Sequence, residues 1–167
     1  MDMSNFRSRL WLESPRDEVF PFFSNPLNLE QITPTWLRFR IVSTLPIEMH
    51  EDVEIDYRLR IRGIPIGWRS RITTWDPPQR FVDEQVRGPY RIWIHEHRFM
   101  EESGGTLCED NVRYVPRGGA IINSLFVEKD VQRIFAYRSE ELRRIFGPIQ
   151  SRSPLGRVKN PTASSTR

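Results

Sequence analysis

Residues 53–62 alternate without a break: Val53, Ile55, Tyr57, Leu59 and Ile61 take the odd positions, and Glu54, Asp56, Arg58, Arg60 and Arg62 the even ones. Successive side chains of an extended strand point to opposite faces, so this segment buries one face and wets the other. That is the pattern of a half-buried antiparallel strand, and it commits the chain to a sheet with one covered side. The neighbouring residues supply the rest of such a sheet. Gly63-Ile64-Pro65 reads as a turn into a strand over 66–75, which Pro77-Pro78 ends. A strand over 81–86 follows, and Arg87-Gly88-Pro89-Tyr90 makes a tight connection into a strand carrying Trp93. Gly104-Gly105 turns into a last strand over 106–115, closed by Pro116-Arg117-Gly118-Gly119. Upstream, residues 6–13 alternate in part, and a strand is expected over 38–44.

Helical signals flank this block. Ser14 suits an N-cap, Pro15 the first helical position, and Asp17 and Glu18 the positive helix end. Val19, Phe20, Phe22 and Phe23 give that helix an apolar face, Pro21 shortens it, and Asn25-Pro26 breaks it. Residues 27–32 read as a second short helix. Residues 120–146 contain neither Gly nor Pro, and Gly147-Pro148 stops them. Ile121, Leu125, Val127, Val131, Ile134, Phe135, Leu142, Ile145 and Phe146 then share about half a helical circumference, a width suited to a helix laid across a sheet. Ser124, Glu128 and Arg138 fall in the same stripe, which is unusual for a plain core face.

The whole chain has 167 residues, a single-domain length able to bury a core. A globular domain is expected over 1–148 and a disordered basic tail over 149–167, where Ser, Pro, Thr and Arg replace apolar residues. Residues 151–167 hold four basic groups and no acid, so of the net charge of +3 the first 150 residues keep about −1. The basicity therefore belongs to the tail, whose charges lack aromatic interleaving. Nucleic acid is not expected as a partner, and transient contact with a membrane surface is the most that this tail allows. No apolar run approaches the roughly 20 residues of a membrane helix. The first residues lack a basic segment followed by an apolar one, and the single cysteine, Cys108, excludes an internal disulfide. These features lead us to expect a cytoplasmic protein.

Chemistry concentrates in Trp93-Ile94-His95-Glu96-His97-Arg98-Phe99. On a strand, Trp93, His95, His97 and Phe99 line one side, a wall both greasy and able to hydrogen-bond; such walls usually enclose a small, mostly apolar molecule. Three roles compete for the histidines: metal ligands with a third donor from Asp110 or Cys108, acid–base groups, or hydrogen-bonded lining of structural value. Cys108, Asp110, Val112 and Tyr114 share the face of the next strand, and Arg138 on the inward helix stripe is the natural partner for Asp110. The same two groups are candidates for orienting the polar end of a ligand. Tyr57 and Trp68 extend the wall on neighbouring strands. Asp83 and Gln85 share a face with Phe81, but a slip of one residue in register moves both to the other side. Cys108 reads as a small buried hydrophobe. No phosphate-cradling glycine loop, nucleophile elbow or paired-cysteine zinc pattern occurs, so no cofactor is expected.

Strand, two short helices, a run of antiparallel strands and a long terminal helix resemble the START-like (Bet v 1-like) helix-grip fold. More narrowly, the chain resembles its polyketide cyclase/dehydrase and lipid-transport branch, which includes coenzyme Q-binding relatives. The resemblance rests on Trp75-Asp76-Pro77-Pro78, Phe81-Val82-Asp83-Glu84-Gln85, Gly88-Pro89-Tyr90, and the Trp93/His95/His97/Phe99 strand. Gly105-Thr106 through Asp110, Tyr114, Pro116 and Ile134-Phe135-Ala136-Tyr137-Arg138 complete it. It implies an α+β protein whose curved sheet wraps the terminal helix around a cavity. It further implies a small hydrophobic ligand, such as a lipid, a quinone or a polyketide-like ring, held by residues drawn from Tyr57, Trp68, Trp93, His95, His97, Asp110, Tyr114 and Arg138. Two other readings stand beside it: a cyclase/dehydratase-type enzyme with His95 or His97 as general acid/base, and an interaction domain whose cavity has collapsed.

Overall fold

Seven strands form one antiparallel sheet in the computed structural model, which describes residues 3–117 and 126–147. They are β1 (Ser4–Leu12), β2 (Arg40–Ile41), β3 (Glu54–Ile61), β4 (Ile64–Asp76), β5 (Arg80–Arg87), β6 (Tyr90–Glu102) and β7 (Gly105–Pro116). Their order is β1-β7-β6-β5-β4-β3-β2, so the chain meanders from β2 to β7 and β1 closes on β7. Helix α1 (Arg16–Phe23) and two 3₁₀ turns, Pro26–Glu30 and Thr35–Leu37, link β1 to β2; α2 (Glu128–Phe146) follows the sheet. This is the expected α+β helix-grip architecture. Among the described residues no helix is long and apolar enough to cross a membrane.

The local differences from expectation have physical causes. Arg62 and Gly63 take φ of 51° and 81°, a two-residue turn of the primed type that matches strand twist, so Ile64 and Pro65 join β4. Pro65 is tolerated because β5 pairs with β4 only from Arg69 onward, leaving no donor to miss. Ser103 and Gly104, at 51° and 79°, make the second such turn, and Gly105 enters β7. The strand expected over 38–44 shrinks to Arg40–Ile41: Arg38 is left-handed, and Ser43 Oγ takes the Asp56 N–H at 2.8 Å. The second short helix, expected over 27–32, is the 3₁₀ helix Pro26–Glu30, capped by the Asn25 side chain. Pro15, rather than Ser14, occupies the N-cap of α1, while the Ser14 carbonyl accepts a 2.7 Å hydrogen bond from Thr106.

Extra residues at Thr73 in β4, Val86 in β5 and Arg91 in β6 interrupt the pairing. Bulges of this kind bend a strand, and the one at Thr73 moves the inward face of β4 from Trp68, Ser70 and Ile72 to Trp75. The concave face holds two apolar clusters. One gathers Leu10, Leu12, Val19, Phe20, Ile72, Phe81, Phe99, Leu142 and Phe146; the other gathers Val112, Tyr114, Val131 and Phe135. Helix α2 spans both. Of its expected stripe, Glu128 is exposed rather than inward, whereas Ile121, Ser124 and Leu125 lie outside the described residues, as does the tail from residue 148. A bidentate Arg62–Asp130 ion pair (2.9 and 3.0 Å) ties the β3–β4 turn to the start of α2.

Candidate ligand cavity and its histidine–aspartate layer

Between the two apolar clusters runs a polar layer, one step long on each element. On β6 the inward order is Trp93, His95, His97, Phe99; on β7 it is Cys108, Asp110, Val112; on α2, Arg138 lies between Phe135 and Leu142. Asp83 on β5 stands directly opposite His95, and Asp110 opposite His97. Both histidines are inward, 5% and 4% exposed. The imidazoles lie 3.7 Å apart between centroids, and Phe81 stacks on His97 at 4.2 Å.

Each carboxylate caps one side of the imidazole pair. Asp110 Oδ1 is 2.8 Å from His95 Nε2 and 3.0 Å from His97 Nδ1, the latter off the line of a good hydrogen bond. Asp83 Oδ2 is 3.2 Å from His97 Nε2 and 3.5 Å from His95 Nδ1. Ser70 Oγ donates to Asp83 Oδ1 at 3.3 Å and accepts from Trp68 Nε1 at 3.0 Å. Burial alone raises a carboxyl pKa, yet the hydrogen bonds and charge of the histidines hold Asp110 well below the ordinary range and Asp83 below it. Burial and the neighbouring His97 lower the His95 pKa despite its two carboxylates. For His97 burial also acts downward, but the two adjoining carboxylates, Asp110 and Asp83, outweigh it and the pKa rises. The layer thus holds two buried carboxylates, with a proton favoured on His97 over His95.

The expected Asp110–Arg138 ion pair is replaced by this arrangement. Asp110 spends its acceptors on the cross-strand imidazoles, which β-pairing brings to it directly. The Arg138 guanidinium instead lies over Phe23 (5.6 Å) and Phe135 (5.9 Å), its Nε buried without a hydrogen-bond partner.

Arg138, His95, His97, Asp83, Tyr57 and Asn28 are the polar lining of a cavity of about 110 Å³. Phe22, Phe23, Leu29, Ile32, Met49, Ile55, Ile72 and Phe81 are its apolar lining. Of the residues expected to hold a ligand, Tyr57, His95, His97 and Arg138 reach this cavity, while Asp110 stands behind the imidazoles. Trp68, Trp93 and Tyr114 do not line it. Register places Trp93 opposite Tyr114, and with Tyr90 these aromatics pack on one another at 4.7–5.9 Å, filling their end of the interior themselves. Asp83 and Ser70 are the site residues that sequence reasoning left out. The signal for Asp83 was its phase with Phe81, but only register shows that it faces a histidine. Burial raises the Tyr57 hydroxyl pKa and lifts the Cys108 thiol to about 12, so neither ionises near neutrality.

Comparison with known proteins agrees with this architecture. The profile of the family described as polyketide cyclase / dehydrase and lipid transport matches residues 12–136. No curated protein matches the chain. Among solved structures, a protein from Chromobacterium violaceum superposes with a TM-score of 0.68 at 14% identity, covering 86% of this chain and 97% of that one. A major latex-like protein from Panax ginseng gives 0.66 at 12% identity, with coverages of 87% and 99%. A Streptomyces aromatase/cyclase gives 0.61 at 18% identity, with 87% and 98%. At these identities the likeness is one of fold.

Proposed function

Because the chain belongs to the polyketide cyclase / dehydrase and lipid transport family, we propose that it binds a small hydrophobic molecule with an oxygen-bearing end in the cavity between sheet and α2. The observation that carries this reading is the polarity of the cavity itself. Its wall is mostly aliphatic and aromatic, with two imidazoles, a carboxylate and the Arg138 side chain set into it. Such a wall orients a ligand: apolar burial, at about 25 cal/mol per Å², supplies affinity, and the polar groups select the oxygen. About 110 Å³, less than the ~150 Å³ of a cavity that takes up benzene, leaves room for a single small ring at most. A quinone or phenol headgroup fits these walls better than a lipid chain or a fused polyketide, which occupy pockets of roughly 300 Å³ and more.

The test is native mass spectrometry of the purified protein with extraction of anything carried along, followed by calorimetric titration with single-ring phenols and quinones. Leu29→Trp, at a half-buried position in the apolar wall, is expected to abolish binding while leaving the thermal melt near that of the wild type. Binding that survives in Leu29→Trp rules this cavity out. An enzymatic reading draws support from one feature, the neutral His95 at the cavity wall with its Nε2 held by Asp110, the arrangement of an oriented general base. Turnover of a bound ring lost in His95→Gln, with binding retained, distinguishes that reading from simple carriage.

A further inference from the structure

The polar layer holds its cavity-facing donor atoms in the spacing of a metal centre. Asp83 Oδ2 lies 3.2 Å from His97 Nε2 and 3.5 Å from His95 Nδ1, and one donor atom from each of the three residues lies within 4.8 Å of the other two. Ligands bonded at 2.0–2.1 Å to a tetrahedral ion sit ~3.3 Å apart, so these edges need little adjustment. The sheet is the cause: Asp83 and His95 are opposite partners, and His97 is the next residue on the same face.

The second atom of each donor also has an outer neighbour, although that of His97 is out of line with its own. His95 Nε2 meets Asp110 at 2.8 Å, His97 Nδ1 lies 3.0 Å from the same oxygen, and Asp83 Oδ1 accepts from Ser70 at 3.3 Å. Outer partners of this kind choose the tautomer of a metal-bound histidine and raise its basicity. With the His95 proton on Nε2, the side of the short contact, Nδ1 presents a lone pair to the Asp83 oxygen. Two acceptors then face each other at the cavity wall, and a cation between them removes the conflict.

We propose that Asp83, His95 and His97 bind a divalent transition-metal ion such as Zn²⁺, with Asp110 as the positioning residue behind both imidazoles. Two imidazoles and one carboxylate suit zinc, iron or nickel rather than magnesium or calcium, which prefer all-oxygen shells. With both imidazoles deprotonated as ligands, the carboxylates of Asp83 and Asp110 outweigh the single positive charge of Arg138. All three ligands line the cavity, so the remaining coordination positions open into it, where the ion would polarise an oxygen of a bound molecule. The site stands independently of the hydrophobic-ligand reading and is tested with metal alone.

The experiment uses the full chain without an affinity tag, stripped with a chelator. Zn²⁺ is titrated against a chromophoric competitor, and the imidazole nitrogens are followed by NMR in the wild-type protein. The expected result is one ion per chain, with the His95 and His97 nitrogens shifting and those of exposed His50 unmoved. Asp83→Asn and His97→Gln are expected to weaken binding more than about 100-fold, Asp110→Asn by about 10- to 100-fold, and His50→Gln not at all. Absence of uptake, uptake that leaves the His95 and His97 resonances in place, or full affinity in folded Asp83→Asn would overturn the proposal. If a variant fails to fold, as judged by circular dichroism, the wild-type spectra alone decide.

Discussion

Asp110 and Arg138 are expected to behave as energetic strangers. Asp110 lies 2.8 Å from His95 Nε2 and 3.0 Å from His97 Nδ1, with its side chain 12% exposed. A hydrogen bond to a charged group contributes about 1.5–3 kcal/mol, and removing one side of a buried charged cluster costs about 3–5 kcal/mol. Asp110→Asn keeps the shape but loses the charge and sets an amide against imidazole N–H groups, so a loss of about 3 kcal/mol is expected, roughly 10 °C in Tm. Arg138→Met removes two cation–π contacts, about 0.5–1 kcal/mol each, and also removes the unpartnered Nε, a burden of about 1–3 kcal/mol. These oppose each other, and the variant should stay within about 1 kcal/mol of the wild type. The double variant should then be additive to about 0.5 kcal/mol. Urea denaturation at neutral pH, in the presence of a chelator, measures all three. A loss of 3 kcal/mol or more in Arg138→Met, with a coupling of about 2 kcal/mol or more to Asp110→Asn, would refute the argument and restore the ion pair read from the sequence.

Phe99, 1% exposed where α1 meets the sheet, should cost about 3–5 kcal/mol on truncation to Ala, measured by the same denaturation curves. Gly104→Ala and Gly105→Ala should separate although the residues are adjacent. The first places a side chain at φ 79° with open space around it and should lose about 1 kcal/mol, whereas the second drives a Cβ into the Leu12 carbonyl and the Trp11 ring and should lose more than twice as much. The Cys108 thiol, 4% exposed and with its pKa pushed up to about 12, should resist a thiol reagent at pH 8 and react fully once the chain is unfolded. Rapid labelling of the native protein would show that the β7 face opens.

Residues 53–62 declare their strand because alternation is a local property, written in the period of the side chains. The same holds for α2, whose apolar stripe over Val131, Phe135, Leu142 and Phe146 appears at the spacing of a helix and is buried in the structure. The succession of strands and the shared face of His95 and His97 were therefore legible. Who stands across from them was not. Period two tells which residues share a face, while the partner on the next strand depends on turn geometry and on bulges at Thr73, Val86 and Arg91 that no alternation displays. Asp83 entered the site, and Arg138 left its supposed pair, for that reason. Likewise the aromatics Trp68, Trp93 and Tyr114 were visible as a wall, but whether a wall encloses space or fills it depends on packing across three strands. The chain itself settles which side chains share a face, through the spacing of its apolar residues; the size of the cavity and the pairing of its charges are settled only when separate strands meet, because contact energies depend on distances that sequence does not contain.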